Sequence, residues 1–386
     1  MAVALIGARI FDGERMLDGA AVLVEGRRIV AIQPEAQLAP DVERVRLRGL
    51  LAPGFIDVQV NGGGGVLFND QRTIAGIRAI GAAHRRYGTT GFLPTFITDT
   101  RERMAEAIGA AHAALDAEVP GVLGIHLEGP FLNPARKGVH DAAHMRAIGE
   151  DDLALMTSLG SGRALVTLAP EMVPMDAIRR LAAARVVVSA GHTGASYEIV
   201  MEARRHGLTG FTHLFNAMPP LASRTPGPVG AALDDRESWC GLIVDMHHVA
   251  PANVRIALAA KGPARVMLVT DAMPTVGSDL AAFHLLGQTV RREGGRLTTR
   301  DGTLAGSDLD MASAVRNTVQ RLGVPLEDAL RMASLVPATF LALDRELGRI
   351  APGYRANLVL LDERLEVIDT WIDGAPSDRR DRDRSP

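Results

Sequence analysis

The chain has 386 residues, 47% of them hydrophobic, with 42 Lys and Arg against 45 Asp and Glu for a formal charge of −3. That apolar content excludes a disordered chain, and the even charge balance leaves no electrostatic footprint for nucleic acid. The single cysteine, Cys240, excludes an internal disulfide framework and a cysteine-based zinc module, so a metal site must draw on the eleven histidines and the carboxylates.

The chain opens without the basic region of a signal peptide, and no run reaches about 18 uninterrupted apolar residues. These features predict a soluble, cytoplasmic protein with neither membrane nor nucleic acid as a partner. Residues 1–50 alternate apolar and polar positions in short runs (VALIGARI, AAVLVEGRRIVAI) broken by glycine turns, a small antiparallel β pattern. Residues 51–344 differ. Eight apolar runs recur there, at 54–60, 90–97, 121–128, 163–170, 185–192, 210–216, 240–247 and 265–272. Their hydrophobicity is continuous rather than alternating, which means burial on both faces and hence a parallel sheet. Helix-period stretches such as TIAGIRAIGAAHRRY and ASYEIVMEARRH separate most of them. Eight strands alternating with helices predict an α/β fold, a (β/α)₈ TIM-like barrel, with an open doubly wound sheet as the runner-up. The weak link is 217–238, which is rich in Pro and Gly and shows no helical pattern. Residues 345–374 return to short β runs, expected to pair with 1–50 in one small β-sandwich, and 375–386 read as a disordered, mixed-charge tail.

Acids and imidazoles gather at the C-terminal ends of the apolar runs, where barrel enzymes carry their chemistry. The third run ends in His126 and Glu128, the fifth in His192, the sixth in His213, the seventh in Asp245, His247 and His248, and the eighth in Asp271. Glu128, His192 and His213 make a donor set suited to a divalent cation, with Asp271 as a base for a bound water. Taken singly, each has a plainer explanation: a strand-end histidine can be structural, and an Asp before a helix can be its N-cap. The coincidence of five of the eight runs delivering such residues at one position favours a site. The glycines after Asn61 read as a tight turn, because no helix N-terminus follows to cradle a phosphate. Five further histidines (His84, His112, His144, His206, His284) fall on helix-like or loop stretches and carry no assigned role.

The segments APGFIDVQVNGGGG, HLEGPFLNPARKGVH, SAGHT, THLFNAMPPLASRTPG, VTDA and DGTLAGS, closed by GRIAPGYRANLVLLD, resemble the N-acetylglucosamine-6-phosphate deacetylases of the amidohydrolase superfamily. The resemblance implies removal of an acetyl group from N-acetyl-D-glucosamine 6-phosphate by metal-activated water. It places the metal on Glu128, His192 and His213, makes Asp271 the general base and then acid, and gives His140 the acetyl carbonyl. It assigns the substrate to Val139, Asn216, Ala217, Arg224, His248 and the loop Leu304, Ala305, Gly306, Ser307, with Gln59 and Asn61 counted beside them. Arg224 suits a phosphate because a guanidinium binds it bidentately, although an exposed loop arginine is otherwise a solvated charge. The resemblance further implies a homodimer, with phosphate contacts crossing between subunits.

One departure is informative. The first run ends Gln59-Val60-Asn61, where the superfamily usually has His-x-His for a second metal. Neutral amides ligate zinc poorly, so one divalent metal per subunit is expected, zinc foremost, with iron, manganese or cobalt compatible with the same donors. Rival readings are a deacetylase for a related sugar such as N-acetylgalactosamine 6-phosphate, another amidohydrolase, or a non-catalytic scaffold.

Overall fold

The computed structural model describes residues 2–377. All eight apolar runs are strands: Phe55–Val60, Thr89–Ile97, Gly124–Glu128, Arg163–Leu168, Val187–Ala190, Leu208–Phe211, Trp239–Leu242 and Val266–Leu268. Each lies parallel to the next in sequence order. The ring closes where a parallel bridge joins Val60 to Ala272. The first and second strands are buried at every position, which is why their apolar runs are unbroken.

The helices are sited by local chemistry. Thr73, Thr100 and Ser196 act as N-caps, their hydroxyls accepting from the N–H of Gly76, Arg103 and Ile199. A helix that the sequence pattern hides, Gly227–Asp234, fills the weak link after the sixth strand. Its first six residues are all buried, and they are Gly, Pro, Val and Ala, so no polar face marks the helical period. Cys240, in the seventh strand, is buried, and burial pushes its thiol up to about 12. Among the described residues, no helix is long and apolar enough to cross a membrane.

The chain ends pair as their β patterns suggest. Val3–Ile6, Ala20–Glu25, Arg28–Pro34 and Glu43–Arg46 form one sheet. Leu50–Pro53 runs antiparallel to Leu358–Leu361 in a second sheet, which also takes in Arg9–Phe11 and Val367–Ile372. Leu5, Val22, Ile10, Leu51, Leu358 and Trp371 pack between the two sheets as a core separate from that of the barrel. Ala375–Pro376 adds an edge strand within the segment read as a tail, and residues 378–386 lie outside the described residues. A three-stranded antiparallel sheet (Ala282–Leu285, Gln288–Glu293, Arg296–Thr298) follows the eighth barrel strand and was not foreseen.

Gly49 controls the junction between the two halves of the sandwich. Its φ is +116°, and a Cβ there would stand 2.2 Å from the Leu361 carbonyl oxygen. Gly49→Ala is therefore expected to destabilise the chain by about 2–4 kcal/mol, through left-handed strain and a backbone collision. Urea unfolding would measure it, and a change below about 0.5 kcal/mol would show that the junction yields without cost.

Candidate active site

Glu128 ends the third barrel strand, and His192 and His213 each stand two residues beyond the fifth and sixth. Asp271 follows the eighth. His192, His213 and Asp271 all take left-handed backbone angles, with φ of 48°, 32° and 53°. Such angles cost a non-glycine residue on the order of 1–3 kcal/mol, and they persist where surrounding structure over-determines them, often at functional sites.

Three electron-pair donors converge at this mouth. His213 Nε2 lies 2.9 Å from Glu128 Oε1 and 3.1 Å from His192 Nε2, and His192 Nε2 lies 3.2 Å from the same Glu128 oxygen. His192 Nδ1 is 2.8 Å from the Arg136 carbonyl oxygen. A carbonyl only accepts, so Nδ1 carries a proton, and in the neutral imidazole that a metal requires Nε2 turns its lone pair toward Glu128. Lone pair against carboxylate is repulsive unless a cation sits between them. His213 Nδ1 is buried with no hydrogen-bond partner among the described residues, so Glu128 and His192 are the polar neighbours that orient its ring. Two imidazoles and a carboxylate about 3 Å apart fit a divalent cation with bonds of about 2.0–2.2 Å. Donor atoms of Glu128, His140 and His192 also lie within 4.8 Å of one another, but His213 is the nearer third donor.

The amides of the first strand serve the carboxylates. Gln59 Nε2 donates to both oxygens of Glu128, at 3.3 and 3.2 Å, and to Asp271 Oδ1 at 3.1 Å. Asn61 Nδ2 donates to that same Asp271 oxygen at 2.6 Å. Burial, and then the neighbouring Glu128 charge, push Asp271 up to about 6.

Glu128, His192, His213 and Asp271 line a cavity of about 620 Å³. Of the residues proposed from sequence, Asn61, Val139, His140, Asn216, Ala217, His248, Leu304 and Gly306 share its wall with Glu128, His192, His213 and Asp271. Gln59, Ala305 and Ser307 are buried behind it, and Ser307 N donates to the Asp271 carbonyl at 2.9 Å. Arg224 is exposed and does not line the cavity of its own chain. His248 is held by Asp245, whose carboxylate lies 2.6 Å from Nδ1 and accepts the backbone N–H groups of His247 and His248. His126 points away from the cavity, between the Thr95 and Thr167 hydroxyls at 3.2 and 2.8 Å, and is structural.

Sequence reasoning missed several wall residues, among them Ile97, Arg136, Lys137, Met273 and Thr303. Lys137 carried a signal, being one of only two lysines in the chain. It also missed Thr98, whose hydroxyl is 2.8 Å from His140 Nδ1. A threonine after a strand announces no acid–base chemistry. A second cavity, about 530 Å³, lies at the N-terminal ends of the barrel strands among Arg78, Tyr87, Pro120 and Thr370, away from the acid and imidazole cluster.

Residues 50–376 match the amidohydrolase family, and residues 3–51 match the NagA composite domain. An N-acetylgalactosamine-6-phosphate deacetylase of Shewanella sp. (strain ANA-3) is 43% identical, over 95% of this chain and 94% of its own. An N-acetylglucosamine-6-phosphate deacetylase of Haemophilus influenzae is 35% identical, over 97% and 99%. The crystal structure of N-acetylglucosamine-6-phosphate deacetylase from Pasteurella multocida superposes with a TM-score of 0.95 at 34% identity, covering 98% of this chain and all of that one.

Proposed function

This chain belongs to the amidohydrolase family, and we propose that it is a metal-dependent hydrolase releasing acetate from N-acetyl-D-glucosamine 6-phosphate. The observation that carries the reading is the convergence of Glu128, His192 and His213 on one point, with Asp271 facing the same cavity. The activities for which its relatives are named supply the substrate class.

A divalent cation held by Glu128, His192 and His213, zinc foremost, would supply Lewis acidity toward water and the acetyl carbonyl. Asp271 takes a proton from the attacking water on its carboxylate, while Asn61 and Gln59 hold its Oδ1 by hydrogen bonds. The water oxygen bonds to the acetyl carbon, and the His140 N–H donates to the oxyanion that develops. Asp271 then returns its proton to the sugar nitrogen as the C–N bond breaks, leaving acetate and the free amine. Asn216, Ala217 and His248 bind the sugar phosphate. Arg224 reaches it from the partner of a homodimer, which accounts for its position outside its own cavity. We place the enzyme in the cytoplasm, where phosphorylated sugars are found.

The test is acetate release from N-acetylglucosamine 6-phosphate, before and after chelation and metal add-back, with the galacto epimer and the unphosphorylated sugar in parallel. We expect turnover of the phosphorylated gluco sugar, a loss of at least about 100-fold on chelation, and recovery on add-back. Preference for the galacto epimer, for which the Shewanella relative is named, would replace the substrate but keep the chemistry. No acetate from any of the three would sink the proposal.

A further inference from the structure

We infer that Thr98 is a positioning residue that sets the tautomer of His140, presenting that imidazole to the acetyl carbonyl as an N–H donor. This rests on the role given to His140 above.

The site leaves His140 two possible parts. One of its ring nitrogens lies within 4.8 Å of donor atoms of Glu128 and His192, and with Nδ1 turned to Thr98 a lone pair on Nε2 would offer the metal a fourth protein ligand. A proton on Nε2 would instead make it a hydrogen-bond donor. A neutral imidazole carries one N–H, so whatever occupies Nδ1 decides between the two. What occupies Nδ1 is the Thr98 hydroxyl, at 2.8 Å. Both side chains are nearly sealed from solvent, His140 at 3% and Thr98 at 1% exposure.

The hydroxyl has a single proton and two acceptors nearby: His140 Nδ1 at 2.8 Å and the Glu128 carbonyl oxygen at 3.5 Å. Were Nδ1–H to donate to Oγ1 instead, the hydroxyl proton would be left with only this longer contact, at the limit of a hydrogen bond, so the better-satisfied pairing has Thr98 donating to Nδ1. The ring's own proton is then on Nε2. His140 thereby becomes a donor, and the lone pairs meeting at the metal point stay three.

Room for this hydroxyl is made by a glycine. Gly129 has φ +88°, and a Cβ there would stand 2.3 Å from Thr98 Oγ1. His140 also packs against His192, ring centroids 4.4 Å apart and planes tilted by 57°, so its ring cannot turn to exchange its nitrogens without disturbing that imidazole.

The test compares Thr98→Val, which keeps the shape and removes the hydroxyl, with Thr98→Ser, which keeps the hydroxyl. Nitrogen NMR of the His140 ring in zinc-loaded wild-type protein should report a proton on Nε2, and this readout needs no substrate. Thr98→Val should lower kcat for acetate release by roughly 10- to 100-fold with KM within about twofold, and Thr98→Ser should stay within about threefold of wild type in both. The loss is smaller than that of removing the donor altogether, because the freed ring still samples the useful tautomer. A proton on Nδ1 in the wild type, or a Thr98→Val enzyme with unchanged kcat, would overturn the assignment. If Thr98→Val does not fold, the wild-type tautomer and a Thr98→Ser enzyme decide it. If the wild type releases no acetate, the functional reading falls, and the NMR result still stands for or against Thr98.

Discussion

Asp271→Asn is expected to lower kcat for acetate release by roughly 10³-fold or more while leaving metal content at the wild-type level. The substitution keeps nearly every contact. The new carboxamide oxygen can still accept from Asn61 Nδ2 and Gln59 Nε2, and the left-handed backbone angle is one that Asn tolerates well. What it lacks is a proton-accepting charge in a cavity where burial and Glu128 have already raised the carboxyl toward neutrality. Asp271 is outside the triad of metal donors, and losing its charge removes a like charge from beside Glu128. Substrate binding should therefore be preserved or slightly improved. Acetate assays with metal analysis on the same preparation separate the two effects. Turnover within tenfold of wild type would show that another group moves the proton.

Glu128→Gln should fail at an earlier stage. Glu128 is the only anion of the triad, and Gln59 Nε2 sits 3.2–3.3 Å from its two oxygens as a donor. A carboxamide there cannot offer both positions as acceptors, so one amide N–H₂ must face either Gln59 or the two imidazole lone pairs. We expect metal affinity to fall by at least about 100-fold, since altering mere supporting contacts of a ligand already costs 10- to 100-fold. Metal content after dialysis against a weak chelator is the measurement. A variant that retains one metal per chain would show that Glu128 is not a ligand and would turn attention to His140.

The barrel was legible because its strands are buried on both faces, and their acids and imidazoles stand at the ends of apolar runs. Glu128, His192, His213 and Asp271 were visible for the same reason. Other features were hidden by their physics. The helix Gly227–Asp234 is made mostly of small apolar residues and buried over most of its length, so it shows no helical stripe. The sheet over Ala282–Thr298 is mostly polar, and its apolar positions Phe283, Leu285, Val290 and Leu297 form a satellite core that only the fold brings together. Gln59 looked like a vacated ligand position. Its work is to hold two carboxylates 69 and 212 residues away, a relation that no local pattern carries. The pairing of the chain ends was readable as two β segments too short to stand alone, but their register was not.

The closure of the barrel has a consequence for how this protein should lose activity. Asp271 N donates to the Gln59 carbonyl, and Asn61 N and Gly62 N both donate to the Ala272 carbonyl. The seam between the first and eighth strands is thus stitched by the backbone of the very residues that place the base. A fluctuation that unzips this seam would separate Asp271 from its amides without melting the rest of the ring. Amide hydrogen exchange at Asn61 and Asp271 should therefore track thermal inactivation, while exchange in the interior of the third and fourth strands tracks global unfolding at a higher temperature.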